Sequence, residues 1–409
     1  MKKLFLLLLP GLLFMGCSLD ADNPNNLLED QLDVRAFSPM VNGLEGVLVR
    51  AYGNILAPYS VASDEMIWIG SRDAWQQLNF GNVDNINNEF VDAAFFYVAE
   101  ARYWADDVIS RGEEFSTSNA FSSANKSDLV RAYWYGATIY MVIADMFDDF
   151  VVGSVKTEGT APVGAANMGS LYDTAVSYID KALALNSGLT SELKATKARA
   201  LFSKGIWTKT NPVNTASPLV SATSAVALAK EALAALGDDF SVNLITSGSA
   251  PDTVGGLDIA GEVNDRLEMR LSDAYIISTD AKRPDAYSDG DPSTTISLMD
   301  PIDNIADPAL FKLVANFTIA QLYPEYPIVS GREMHLIIAE DALSSGDNAT
   351  FTSHINKIRA LDGLSDYSGQ ISAQAMLEHS RRVNLFLQGR RIADHYRFGN
   401  PSEYWIPTS

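Results

Sequence analysis

The sequence predicts a mostly α protein, in which tetratricopeptide-like helical repeats form a scaffold with one long, irregular, loop-rich insertion. Apolar residues recur at helical spacing through most of residues 40–236 and again within 328–398, whereas the alternation typical of strands is scarce. Between these blocks, at about residues 240–326, the periodicity is lost. The chain of 409 residues is 47% hydrophobic and 20% charged, which excludes a disordered or collagen-like protein.

The charge of the chain excludes one class of partner. The sequence holds 30 Lys and Arg against 51 Asp and Glu, a formal net charge of −21 at pH 7. Nucleic acid is bound through basic surface that neutralises phosphate groups. We therefore expect no nucleic-acid partner.

The N-terminus resembles a bacterial lipoprotein signal. Two lysines precede the apolar run 4–13, which is too short to span a bilayer and ends in FMGC. Cys17, in the position that lipoproteins acylate, is the only cysteine of the chain. We predict a signal peptide over 1–16, lipidation of Cys17 and a lipidated tether over 17–39. The alternative is an ordinary secretory signal followed by an incidental cysteine.

Three long helices are predicted in the first third of the chain. Residues 40–55, 90–110 and 129–146 each place apolar side chains on one helical face. Ser127 and Asp128 are the candidate caps of the third helix.

An internal echo indicates the repeats. Residues 175–183 and 225–233 share an alanine-rich pattern, and a further helix, 192–207, lies between them. Small residues at helix crossings are typical of tetratricopeptide-like repeats, whose period is about 34 residues. The longer spacing here is explained by the polar insertion 208–223. A second helical pair is predicted at 333–343 and 349–361. Chance likeness between alanine-rich helices is the alternative.

No catalytic constellation is recognisable. The four histidines, His335, His354, His379 and His395, show no metal-ligand spacing, and we expect no metal, no cofactor and no catalytic residue. Asp285, Asp289 and Asp291 surround Gly290 and could hold Ca²⁺, although a solvated turn is the favoured interpretation.

Two regions carry side chains suited to carbohydrate. Aromatic rings stack on the C–H faces of sugars, while arginine and amide groups bond to hydroxyls. The first region, 60–81, contains Trp68, Arg72, Trp75, Gln76 and Asn79, and the irregular region contributes Tyr275, Tyr287 and Tyr323. Trp68 and Trp75 are seven residues apart, so they could instead be one buried face of a helix.

The C-terminal third resembles a known family. Residues 326–340 (YPIVSGREMHLIIAE), 354–359 (HINKIR) and 377–399 (LEHSRRVNLFLQGRRIADHYRFG) are similar to motifs of the SusD/RagB-like outer-membrane nutrient-binding lipoproteins. Asn384 and Gln388 stand where the family has glutamates, so ion pairs with Arg382 or Arg390 should weaken. The arginine cluster itself is interpreted as packing and ion pairing with acidic helices, rather than as an anion site.

The resemblance implies a fold, a function and a location. It implies that residues 40–409 form a single SusD-like domain of an outer-membrane, lipid-anchored and surface-exposed protein. Such a protein is not an enzyme: it captures oligosaccharide or peptide and delivers it to a SusC-like TonB-dependent transporter, of which it is the lid. Two alternatives remain open from the residues, namely a lipid-anchored glycan-cleaving enzyme and a repeat-type scaffold for protein assembly.

Overall fold

A computed structural model describes residues 32–153, 159–185, 188–245, 259–264, 266–277, 296–318 and 325–399. Its helices are α1 Phe37–Ala62, α2 Asp73–Asn79, α3 Glu89–Phe115, α4 Ser123–Met146, α5 Ser170–Ala184, α6 Thr190–Thr210, α7 Thr223–Leu236, α8 Ile259–Asn264, α9 Pro308–Thr318, α10 Gly331–Ser344, α11 Asn348–Leu361, α12 Ala373–Asn384 and α13 Arg391–Phe398. Its strands are β1 Met66–Trp68, β2 Ser241–Leu244, β3 Met269–Leu271 and β4 Tyr326–Ser330. The mostly α class is confirmed.

Helices α1 and α3 pack against each other in opposite directions. The ring of Phe37, at the start of α1, has its centroid 6.1 Å from that of Phe115 at the end of α3. Further along the two helices, Arg50 forms an ion pair with Glu100. Gly112 permits the close approach, because a Cβ there would fall 2.5 Å from the Phe37 ring. At 1.5 Å per residue, α1 carries the chain about 39 Å from Phe37 to the turn that precedes β1.

The start of α4 differs from the prediction. The helix begins at Ser123, and its cap is Ser122, whose side chain accepts the N–H of Asn125 while Asn125 accepts the N–H of Ser122. This reciprocal capping box adds a turn before the apolar stripe. Ser127 and Asp128 were therefore wrong as caps, since both lie inside the helix.

The repeat helices pack through alanines. Ala175 of α5, Ala195 and Ala198 of α6, and Ala229 of α7 are all fully buried. Consecutive helices α5, α6 and α7 pack pairwise, and α10 packs on α7 and pairs with α11. The second helical block thus continues the first, although about ninety residues of chain separate them. Small side chains let the helix axes approach closely, as the echo predicted.

The region between these blocks is more regular than the sequence predicts. It contains α8, β3 and the eleven-residue helix α9, which Asp307 caps by accepting the N–H groups of Ala309 and Leu310. Antiparallel pairs join β1 to β3 and β2 to β4. The pairing of β2 with β4 joins the start of the region 240–326 to its end. The pairing of β1 with β3 joins the centre of that region to the segment after α1.

The C-terminal arginines form buried ion pairs. Arg397 Nη2 lies 3.0 Å from Glu340 Oε2, and Arg381 Nε lies 2.7 Å from Asp394 Oδ2. The side chains of Arg397, Glu340 and Arg381 are at most 2% exposed, and that of Asp394 is 12% exposed. This confirms the interpretation of the cluster as packing and ion pairing. Within the described ranges, no helix is long and apolar enough to cross a bilayer.

The two amides in the C-terminal motif make other bonds than expected. Asn384 Oδ1 accepts from Arg332 at 2.8 Å, and Asn384 Nδ2 donates to the carbonyl of Ser380. Arg390 takes Glu333 as its ionic partner at 3.1 Å and donates to the backbone carbonyl of Gln388. Asn384 therefore hydrogen-bonds to Arg332, a partner that the sequence did not predict.

Candidate functional site

The first carbohydrate-like region is held together by the short sheet of β1 and β3. Met66 pairs with Leu271 and Trp68 pairs with Met269. Met66, Met269 and Leu271 are fully buried, so this sheet is anchored in the core. The chain then leaves the core at Trp68 and reaches the surface by Ser71.

Trp68 stands at the boundary between core and surface. It is half-buried, and its backbone N–H donates to Asn79 Oδ1 at 3.0 Å. The indole Nε1 is covered. Trp68 therefore exposes apolar ring rather than its polar nitrogen, which is the property that stacking on a sugar requires. Asn79 is a structural partner of Trp68 across α2, because its carbonyl oxygen is already engaged.

The prediction that Trp75 binds ligand is wrong. Trp75 lies on the inner face of α2, is fully buried, and stacks on Phe90 with ring centroids 3.6 Å apart and an interplanar angle of 14°. Leu78, three residues further along the same face, is buried as well, so this short helix turns Trp75 inward. Gln76, the next residue along the chain, is half-buried.

Arg72 is the exposed cation of the region. Its guanidinium carbon lies 5.3 Å from the centre of the Phe90 ring, and its Nε lies 3.9 Å from Glu89 Oε1, too far for a hydrogen bond. The side chain is 44% exposed. The stack Trp75–Phe90–Arg72 thus runs from core to solvent, and among the described residues the Arg72 guanidinium makes no side-chain hydrogen bond at its outer end.

Glu268, the residue before β3, accepts the hydrogen bonds that close the turn between Trp68 and Arg72. Glu268 Oε2 accepts the backbone N–H groups of Ser71 and Arg72, and Glu268 Oε1 accepts the hydroxyl of Ser71, each at 3.0 Å. The backbone carbonyl of Glu268 accepts the N–H groups of Ile69 and Gly70, also at 3.0 Å.

A second carboxylate lies close to this turn. Glu262 of α8 is buried and pairs with Arg266 at 2.8 Å. Burial raises the pKa of the Glu262 carboxyl, and the charges of Arg266 and Arg72 partly offset that effect. The neighbourhood of the turn therefore combines the Trp68 ring and the Arg72 guanidinium, which reach the surface, with the buried carboxyl of Glu262.

The other predicted site residues do not join this surface. Tyr275 is fully buried, with its ring 4.7 Å from Phe386 and the Arg382 guanidinium 4.6 Å from its ring centre, so the prediction that it contacts ligand is wrong. Tyr287 and Tyr323 lie outside the described residues, as do Cys17 and the aspartates of 285–291.

The histidines take part in packing and in local hydrogen bonds. His335 is fully buried; its Nε2 lies 3.1 Å from Asp238 Oδ1 and its Nδ1 lies 2.8 Å from His354 Nδ1. A carboxylate only accepts, so Nε2 of neutral His335 carries the proton and Nδ1 accepts from His354. Burial lowers the pKa of both rings, to about 4 for His354.

One cluster has the side chains of a metal site. Among the described residues, Asp300, Asp307 and His379 bring ligand-type atoms together. Asp300 is held by Arg359 at 2.6 and 3.0 Å, and Asp307 joins His379 at 2.9 Å while it caps α9. The Arg359 guanidinium supplies the positive charge that balances Asp300.

Sequence reasoning missed Glu268, Glu262 and Gly70. Glu268 lies 196 residues after Arg72, in a stretch without periodicity, so neither spacing nor motif connects the two. Only the pairing of β1 with β3 brings them together. Trp68 and Arg72 were found because their residue types stand out within one short segment.

Comparison with solved structures places the architecture. No protein-family model matches the chain, and no curated protein matches it. A SusD superfamily protein from Bacteroides thetaiotaomicron is similar in structure, with a TM-score of 0.62, 14% identity, and coverage of 90% of this chain and 89% of that one. A SusD-like carbohydrate-binding protein from Bacteroides vulgatus has a TM-score of 0.58, 12% identity, and coverage of 89% and 83%.

A SusD-like carbohydrate-binding protein from Bacteroides fragilis has a TM-score of 0.54, 14% identity, and coverage of 89% and 87%. The likeness extends over nearly all of this chain and of each of the three neighbours, so it includes the repeat helices as well as the segments between them. The chain therefore has the SusD-like fold.

Proposed function

We propose that this protein is a non-enzymatic binding protein for oligosaccharides, and that the surface around Trp68 and Arg72 contacts the sugar. The observation that carries the proposal is a half-buried indole, Trp68, and an exposed guanidinium, Arg72, four residues apart on one turn of a SusD-like fold. The indole offers a stacking face, and the guanidinium offers donors to sugar hydroxyls. Two structural neighbours are described as carbohydrate-binding, which supports the same ligand class.

The proposal of a binding protein rather than an enzyme is supported by two buried carboxylates of α10, Glu333 and Glu340, which are both engaged in ion pairs. Glu340 is paired with Arg397 and lies 3.6 Å from Arg381, and Glu333 is paired with Arg390. Each of these carboxylates is occupied by an arginine partner inside the protein, whereas a general acid needs access to substrate. These groups serve the scaffold.

The proposed location is supported by the first seventeen residues. We propose that Cys17 carries the lipid, that the protein lies on the outer membrane facing outward, and that it delivers the sugar to a SusC-like TonB-dependent transporter as its lid. Anchoring two proteins in one membrane raises their effective concentration, so a modest interface suffices.

An oligopeptide is the second ligand class proposed for the surface around Trp68 and Arg72.

Co-purification tests the transporter partner. Outer membranes from cells that express this protein together with a SusC-like transporter are solubilised in detergent, and the protein is isolated at low and at high salt. We expect the transporter in both preparations if apolar contacts dominate, and at low salt alone if charge dominates. Recovery of the lipoprotein by itself under both conditions contradicts the lid and leaves a free-standing binding protein.

A further inference from the structure

The turn between Trp68 and Arg72 is held by a single remote residue. Residues 69–72 donate four backbone N–H groups and one hydroxyl, and all five hydrogen bonds end on Glu268. Three of them reach the carboxylate and two reach its backbone carbonyl. A carboxylate that accepts several backbone N–H groups forms stronger bonds than a neutral acceptor does.

From this geometry we infer that Glu268 is a positioning residue of the ligand surface: its carboxylate holds the turn that carries Arg72, four residues after Trp68. The inference rests on the proposed function, because it assigns a role within the same site. Glu268 itself need not touch sugar. Its two oxygens are directed at Ser71 and Arg72, so it acts through them.

Gly70 supplies an independent observation for the same arrangement. A Cβ built at Gly70 would lie 2.6 Å from the Glu268 Cα, and it would also overlap the carboxylate. Real Cβ atoms do not approach backbone atoms this closely, so any larger residue at 70 forces the turn and Glu268 apart. The turn is therefore built for close contact between its backbone and one glutamate.

The contact with Glu268 also explains how the Arg72 guanidinium is kept over the Phe90 ring. Arg72 is the N-cap residue of α2, with extended backbone, and its side chain makes no cap hydrogen bond. Its N–H is fixed by Glu268, and its guanidinium rests over Phe90. With both ends of the residue fixed, the guanidinium loses less freedom when a ligand binds, which favours affinity.

Four variants test the inference: Glu268→Ala, Glu268→Gln, Gly70→Ala and Arg72→Ala, with Glu231→Ala as the control. Glu231 is an exposed glutamate that pairs with Lys194 on the repeat helices. In Glu268→Gln, the side-chain carbonyl can accept the two backbone N–H groups and the side-chain amide can donate to the Ser71 hydroxyl. The glutamine variant should therefore rescue what the alanine variant loses.

The first readout is independent of ligand. Amide hydrogen exchange of the peptide that contains Ser71 and Arg72 should become faster in Glu268→Ala and Gly70→Ala, and should stay at the wild-type rate in Glu268→Gln and Glu231→Ala. Unchanged exchange in Glu268→Ala shows that the glutamate does not hold the turn, and it overturns the inference whatever the protein binds.

The second readout is affinity for immobilised neutral hexasaccharides of glucose, xylose and mannose. We expect Glu268→Ala to weaken binding on the order of tenfold, because one charge-assisted contact of Arg72 is misplaced. In the Arg72→Ala background, Glu268→Ala should reduce the affinity much less, because the guanidinium that Glu268 positions is already absent. Equal losses in both backgrounds contradict positioning through Arg72.

The outcomes separate the two proposals. A wild-type protein that binds no oligosaccharide refutes the proposed function, while the exchange measurement still decides whether Glu268 fixes the turn. Wild-type binding that is lost in Arg72→Ala and retained in Glu268→Ala keeps the proposed function and refutes the positioning role.

Discussion

The backbone N–H of Leu387 donates to Glu65 Oε1 at 2.9 Å, a bond between residues 322 positions apart. It joins the end of α1 to the segment between α12 and α13, and Ser63 donates to the other carboxylate oxygen at 3.2 Å. Glu65 is 1% exposed. Burial raises the pKa of its carboxyl to about 7, although the Leu387 N–H and Arg391 oppose that change.

The burial of Glu65 predicts a pH dependence of stability. Glu65 titrates near 4.5 when unfolded and near 7 when folded, so the folded state binds more protons between these values. Its contribution is therefore full below pH 4.5 and is lost as the pH rises to 7. Glu65→Gln has no proton to lose and keeps an acceptor for Leu387. The melting temperature of the variant minus that of wild type should rise between about pH 5 and pH 8. A difference that is constant or falls contradicts the buried, proton-binding state of Glu65.

His354 predicts the opposite slope. Burial, with the nearby charges of His335, Lys357 and Lys230, lowers the pKa of His354 to about 4 against 6.5 in the unfolded chain, while Asp238 raises it. The unfolded state then binds more protons between pH 6.5 and 4, so stability falls as the pH is lowered through this window. His354→Asn can still donate to His335, and its melting temperature minus that of wild type should fall as the pH rises from about 4.5 to 7, because only wild type regains stability from the deprotonation of His354. Identical profiles for variant and wild type contradict the assignment.

The two tryptophans of the candidate region should respond differently to substitution. Trp75→Ala removes a fully buried ring stacked on Phe90 and should cost about 3–5 kcal/mol of unfolding free energy. Trp68→Ala removes a half-buried ring and should cost clearly less. Denaturant unfolding of both variants in parallel gives the comparison, and an equal loss shows that Trp68 is also core.

The lipid anchor is tested by Cys17→Ser, with Ser18→Ala as the neighbouring control. In the proposed anchor the Cys17 thiol accepts the lipid, so we expect the variant in the soluble fraction and the control with the outer membrane. Flotation of both proteins on a density gradient after a high-salt wash provides the measurement. A Cys17→Ser protein that still floats with the membrane contradicts lipidation at this residue.

The helical scaffold could be predicted because its rules are local. The alanines of α5, α6 and α7 repeat at helical spacing within each segment, and burial follows directly from that pattern. The site could be predicted only in part. Trp68 and Arg72 stand out by residue type, but the inward turn of Trp75 depends on the short helix α2, and the role of Glu268 depends on pairing between strands that are far apart in the chain.

The same limit explains the error at Tyr275. An aromatic residue in a stretch of Gly, Ser, Asp and Pro suggests an exposed loop, yet Tyr275 packs on Phe386 of the C-terminal motif. Position 276 also bridges to 296, which closes the chain around it. Tertiary contacts of this kind leave no periodic signal in the sequence.

Calorimetric titration with the neutral hexasaccharide that wild type binds most strongly tests the central claim most directly. We compare wild type, Trp68→Ala, Arg72→Ala and Trp207→Ala, the last being another half-buried tryptophan, on α6. Stacking contributes on the order of 1 kcal/mol or more, so Trp68→Ala should weaken binding about fivefold or more, and Arg72→Ala should also weaken it. Trp207→Ala should bind like wild type. Wild-type affinity in both Trp68→Ala and Arg72→Ala would show that the sugar does not bind at this surface.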